Sequence, residues 1–130
     1  MKKLILLTAL IISGLSTWAQ EPNTKAVIAA LEKGNATELA GLCIPNLDLT
    51  VLGKDDVYSR AQAEQILKKY FEQNKPTAFT TEHEGVSKVG DLYVIGKLAT
   101  STGEYRVTFF LKKAGETYQV KQLRIEQGKG

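Results

Sequence analysis

The chain has 130 residues, 17 of them Lys or Arg and 14 Asp or Glu, for a net charge of +3. Its length suits one domain, and 43% apolar with 24% charged residues is the balance of a folded globular protein rather than a disordered one. A single cysteine and a single histidine exclude an intrachain disulfide framework, a cysteine-rich zinc site and a multi-histidine metal centre within one chain.

The first 19 residues read as a secretory signal peptide. Lys2 and Lys3 make a positive start, Leu4 to Leu15 an apolar run, and Thr17 and Ala19 the small residues of a cleavage tripeptide. The run is shorter than the roughly 20 residues of a spanning helix, and no cysteine lies near the cut to take a lipid. The expectation is therefore a secreted or periplasmic protein, with no membrane anchor once the leader is gone. Losing Lys2 and Lys3 leaves 15 basic residues against 14 acidic, or +1, which argues against a nucleic-acid partner. Residues 20–130 are then expected to form one domain.

Along that stretch, Asn23 caps a helix to about Lys33, with Val27, Ala30 and Leu31 on one face. Gly34-Asn35 stops it. A second, short helix from Ala36 to Cys43 gathers Ala36, Leu39, Ala40 and Cys43, and makes Cys43 a buried, inert thiol. Asn35-Ala36-Thr37 matches a glycosylation sequon, a pattern that often arises by chance. Leu47 to Val51 alternates as a strand and Gly53 to Asp56 reads as a turn. Ser59-Arg60-Ala61-Gln62 is a capping box opening a helix to about Gln73. Ala63, Ile66, Leu67, Tyr70 and Phe71 form its apolar stripe. After Asn74-Lys75-Pro76 come four alternating segments: Thr77 to Ser87, Leu92 to Thr100, Tyr105 to Lys112 and Tyr118 to Glu126. Turns holding Gly90, Gly103 and Gly115 make them an antiparallel meander. The fold class is α+β, with N-terminal helices on a strongly curved antiparallel sheet.

Two-residue turns at Val89-Gly90, Thr102-Gly103 and Ala114-Gly115 predict the register. They pair His83 with Gly96, Gly96 with Phe109, and Phe109 with Val120. Phe79, Thr81, His83, Leu92, Val94, Leu98, Tyr105, Val107, Phe109, Leu111, Tyr118 and Val120 then share the face that the long helix covers. Leu123 and Ile125 are out of phase with Val120, so a β-bulge near Lys121-Gln122 is expected to return them to the core and bend the strand. The other face carries Glu82 opposite Lys97, several further charges, and an apolar group of Tyr93, Ile95 and Phe110. That group is a candidate homodimer surface, unless a loop or tail covers it.

The element order, together with Gln62 to Phe71, Asn74-Lys75-Pro76, His83-Glu84-Gly85, Tyr93-Val94-Ile95-Gly96, Tyr105 to Lys113 and Gln122 to Glu126, resembles a family of small secreted bacterial domains of unknown function. Their fold is the cone-shaped, nuclear transport factor 2-like and cystatin-related one. The resemblance spans nearly all of the mature chain. It implies the fold and export, and carries no activity and no functional residues.

The pocket candidates are Phe79, His83, Gly96, Phe109 and Tyr70, and the ligand they suit is small and apolar. His83 is a weak candidate proton carrier, for an isomerase or dehydratase, with Asp48, Tyr58 or Tyr105 as conceivable partners. The preferred reading is a structural histidine bonded to backbone or to a tyrosine. Asp55-Asp56 reads as a solvated turn, since adjacent strand residues point opposite ways. Arg106 and Arg124 are conceivable anion contacts, Arg106 on the outer face. No phosphate loop, nucleophile elbow or zinc spacing occurs, so no cofactor and no metal are expected. The reading is an exported binding domain, for a small apolar ligand or for a second copy of itself, or else an accessory subunit of a cell-envelope protein.

Overall fold

The computed structural model describes residues 23–128; the leader and its cleavage site lie outside them. Helix α1 (Thr24–Lys33) buries Val27, Ala30 and Leu31. It ends at Gly34, which takes φ +65°, while Asn35 N–H donates to Ala30 O at 2.9 Å. A Cβ on Gly34 would also sit 3.0 Å from Pro76 Cδ, so both backbone and packing select glycine there. The Asn35 side chain then caps α2 (Ala36–Gly41) by accepting from Glu38 N–H.

Helix α2 is shorter than the sequence suggested, and Cys43 opens strand β1 (Cys43–Val51) instead. Val120 N–H donates to Leu42 O, and Cys43 pairs in parallel with Val120 of β6 (Thr117–Gln127). A partner 77 positions away in sequence thus overrides the local helical pattern. Cys43 remains fully buried, its Sγ donating to Leu39 O.

Gly53 to Asp56 is not a turn. Leu52 (φ 49°) and Gly53 (φ 92°) form a tight two-residue hairpin, and Lys54–Ser59 is strand β2. Ser59 then caps α3 (Arg60–Gln73) with the full reciprocal box: its hydroxyl accepts from Gln62 N–H, and Gln62 Oε1 accepts from Ser59 N–H. Strands β3 (Pro76–Val86), β4 (Leu92–Thr100) and β5 (Gly103–Ala114) follow. One six-stranded sheet results, ordered β2-β1-β6-β5-β4-β3, antiparallel except at β1-β6.

The turns differ from those expected, with unequal consequences. The β4–β5 and β5–β6 loops are Ser101-Thr102 and Gly115-Glu116, so Gly96 pairs with Val107 and Leu111 with Val120. Each is a shift of two residues, which leaves every side chain on its expected face. The predicted bulge is present at Lys121: Phe110 pairs with Gln122 and Leu111 with Val120, so Leu123 and Ile125 are buried. The β3–β4 loop instead runs over five residues, and a second bulge at Glu82 separates the Thr81–Gly96 pair from the His83–Ile95 pair. Because side chains alternate, that odd residue flips everything between the bulge and the loop. His83 therefore lies on the outer face, exposed, rather than on the helix face.

Helix α1 lies against β3, and α3 against α2, β1 and β2. Between helices and sheet, Leu31, Leu39, Leu67, Leu98, Phe109, Leu111 and Leu123 are fully buried. Bulges in β1, β3 and β6 bend the strands around this core.

Candidate functional site

The helix side of the sheet is closed over most of its area but opens where α3 meets the β1–β2 hairpin. A cavity of about 370 Å³ lies there, within the usual range for small-molecule sites. Ile66, Lys69, Tyr70 and Gln73, at i, i+3, i+4 and i+7, bring one stripe of α3 to it. Leu49, Val51, Leu52, Lys54 and Tyr58 of the hairpin form the opposite wall. Most of the lining is apolar, and no acidic residue contributes.

Tyr70 is 3% exposed, and its hydroxyl is buried without a hydrogen-bond partner. Burial, then the neighbouring Tyr105 phenol, raises its pKa, so it stays a neutral donor. Its ring is held edge-on to Phe71 and Tyr105, at centroid distances of 5.5 and 5.6 Å. Below it, a polar knot fixes the end of α3. Asn74 Nδ2 donates to Tyr70 O (2.9 Å), while Asn74 Oδ1 accepts from Thr102 Oγ1 (2.5 Å) and from Tyr105 Oη (3.0 Å).

Of the five pocket candidates from sequence, only Tyr70 borders this cavity. Phe109 is fully buried core. Phe79 packs half-buried against the core, and the space above Gly96 belongs to its ring: a Cβ on Gly96 would lie 2.5 Å from Phe79 Cζ and 2.4 Å from Thr80 O. His83 and Gly96 border a separate, open trough of about 1050 Å³ on the outer face, flanked by Glu82, Lys97, Glu104 and Arg106. Lys97 Nζ stands 3.5 Å from Glu82 and 3.8 Å from Glu104. The exposed His83 side chain makes no hydrogen bond among the described residues, so the reading of a buried structural histidine bonded to backbone or tyrosine does not hold. Its conceivable partners lie elsewhere: Tyr105 in the knot, Tyr58 at the cavity, and Asp48 on β1, far across the sheet from edge strand β3.

Tyr93, Ile95 and Phe110 do lie together on the outer face, half-buried, with the Tyr93 and Phe110 rings 5.8 Å apart. Tyr93 also has an internal role, since its ring covers Gly85, whose Cβ would fall 3.0 Å from the phenol oxygen. Asp55 and Asp56 belong to β2 and not to a turn. Thr50 Oγ1 donates to Asp55, and Gln122 Nε2 to Asp48. Burial first, then the adjacent Asp55, pushes the Asp48 pKa up, against Gln122 and Arg124. Arg124 is held by Glu126 at 2.7 Å. Among the described residues no group of three His, Cys, Asp or Glu is placed to hold a metal ion.

The β2 part of the hairpin wall, Lys54 and Tyr58, is hidden in the sequence because Gly53 to Asp56 reads there as a turn. Leu52-Gly53 followed by Val57-Tyr58 was the available signal, though a strand reading Lys-Asp-Asp-Val-Tyr-Ser lacks the apolar alternation of a half-buried one.

Helices packed on one face of a bent six-stranded sheet make this an α+β protein with nuclear transport factor 2-like and cystatin-like structural neighbours. The chain belongs to the family described as Domain of unknown function (DUF4783), whose model matches residues 24–126. A DUF4783 family protein from Bacteroides ovatus is 29% identical, with a TM-score of 0.76 over 86% of this chain and 99% of that one. One from Bacteroides uniformis is also 29% identical, with a TM-score of 0.76 over 82% and 98%. A domain of unknown function with a cystatin-like fold from Nostoc punctiforme shares 12% identity and a TM-score of 0.64, over 82% of this chain and 73% of that one; it speaks to fold alone. No curated protein matches the chain.

Proposed function

We propose that the chain is an exported binding domain that takes a small, mainly apolar ligand in the cavity between α3 and the β1–β2 hairpin. The observation that carries this is a cavity of about 370 Å³ with an apolar lining, beside a buried tyrosine hydroxyl that has no partner. Its volume is worth about a dozen waters at roughly 30 Å³ each. An unpaired buried hydroxyl is costly, and a ligand acceptor reaching it would remove that cost. Export rests on the leader pattern. The test is titration with the neutral fluorophore N-phenyl-1-naphthylamine. Ile66→Trp, which fills the cavity from α3, should weaken binding at least tenfold while leaving the circular dichroism and the melting temperature near wild type. Equal binding by a folded Ile66→Trp variant would place the ligand elsewhere and end this reading.

A second reading, self-association through the outer face, is favoured by Tyr93, Ile95 and Phe110, with Val89, 77% exposed, bordering the same depression as Phe110. Sedimentation of the mature chain should show a dimer that Phe110→Glu dissociates. A monomer at 100-fold dilution series end points would remove that reading and leave the cavity proposal intact.

A further inference from the structure

Resting on that cavity reading, we infer that the ligand is an amphipathic anion, with an apolar body inside the cavity and a carboxylate-type head at its mouth between Lys54 and Lys69. The two lysines come from facing walls, Lys69 from α3 and Lys54 from the β1–β2 hairpin. Both are exposed and neither has an anionic partner among the described residues, a state shared with surface lysines such as Lys68 and Lys75; what sets these two apart is that they face each other across one apolar cleft. Two like charges across an apolar cleft repel, and an anion between them turns that repulsion into two attractions. No acidic residue is in the lining, and Asp56, on the same face of β2 between Lys54 and Tyr58, is exposed with its carboxylate accepting from Val57 N–H, so a negative head meets the two lysines first.

The body of the ligand is specified as well. Leu49, Val51, Ile66 and the Tyr58 ring offer contact with neither donors nor acceptors, so a sugar or a free phosphate would leave its hydroxyls or oxygens unpaired against them. A chain or ring of about eight to ten carbons, at roughly 30 Å³ each, fits within the volume and leaves room for the head at its edge. Lysine stems cover apolar surface while their ammonium groups stay in water, so the head sits at the solvent edge and its attraction is screened by salt.

Displacement of N-phenyl-1-naphthylamine by octanoate, 1-octanol and octylammonium separates head from body, because the three share one chain. Octanoate should bind at least fivefold more tightly than octanol, with octylammonium weakest. Raising the salt from about 0.05 to 0.5 M should erase that order for octanoate without moving octanol. In the Lys54→Gln/Lys69→Gln variant, octanoate should fall to the octanol value while octanol stays where it was. If octanol matches or exceeds octanoate in the wild type, the cavity reading stands and the anionic class is overturned. If the double variant keeps the octanoate preference, the lysines are not its source and the inference fails. If neither the probe nor any of the three binds, the cavity reading fails and takes this inference with it.

Discussion

Cys43 shows how burial decides the chemistry of a single side chain. The thiol donates to Leu39 O, and desolvation pushes its pKa up from 9.0 to about 12, only partly offset by Arg60. The protonated form is favoured in the folded state, so unfolded chains lose their thiol proton first as pH rises. Stability from this group is whole below about pH 9 and declines toward pH 12, by at most about 1.4 kcal/mol per unit. Urea midpoints should fall between about pH 9 and 11 in the wild type and less steeply in Cys43→Ala, with Tyr70 supplying what slope remains. At neutral pH the native thiol should ignore a disulfide reagent that labels it at once in denaturant. Gly96 is constrained by space rather than by φ. Gly96→Ala drives a methyl against Thr80 O and the Phe79 ring, and should cost about 1–3 kcal/mol in chemical denaturation.

At the scale of the element, α3 is fixed at both ends by different means. Its start is local: the Ser59–Gln62 box lies within four residues, and Ser59→Ala should remove about 1 kcal/mol. Its end is tertiary, because Asn74 ties Tyr70 O to Thr102 and Tyr105 of the β4–β5 region. Asn74→Ala removes the acceptor of both hydroxyls, of which one can then donate to the other across 2.8 Å, and leaves Tyr70 O without its side-chain donor; it should cost about 1–3 kcal/mol in the same denaturation experiment. The contrast between β2 and α3 follows the same line. A capping box with an apolar stripe announces itself in sequence, whereas an edge strand exposed except at Tyr58, with Val57 59% exposed, needs no apolar alternation and displays none. Edge strand β3 is protected by its bulge at Glu82 and by Glu32 of α1, whose carboxylate accepts from Phe79 N–H at 3.0 Å.

For the whole molecule, one continuous core joins α1, α2 and α3 to the sheet. Leu67, fully buried at the centre of the α3 face, tests its unity. Leu67→Ala should lower stability by about 2–5 kcal/mol with an unchanged urea dependence of unfolding, so that circular dichroism and tyrosine fluorescence report one transition. Separate transitions for helix and sheet would mean that the helices are not part of a common cooperative unit. The cavity sits at the margin of this core, between α3 and the β1–β2 hairpin at one edge of the sheet. A ligand there can fill space without displacing any fully buried side chain.

The sequence by itself determined α1 and α3, the four-strand meander, the buried face of β4, β5 and β6, and the bulge at Lys121. Each of these is written in local periodicity, a cap or a phase change within about ten residues. It also placed Tyr93, Ile95 and Phe110 on a common outer face, since turn errors of two residues preserve alternation. Only the tertiary structure decided that Cys43 is a strand residue, that β2 exists, and that His83 turns outward. The first two depend on pairing with distant β6 or with β1, and the third on one extra residue at Glu82 that nothing in the local pattern marks. The cavity shares that origin. Of its lining, the α3 stripe was legible as a helix face, but the facing hairpin wall comes from backbone pairing rather than from any motif. A cavity walled by two elements that meet only in the folded chain has no signature in either one alone.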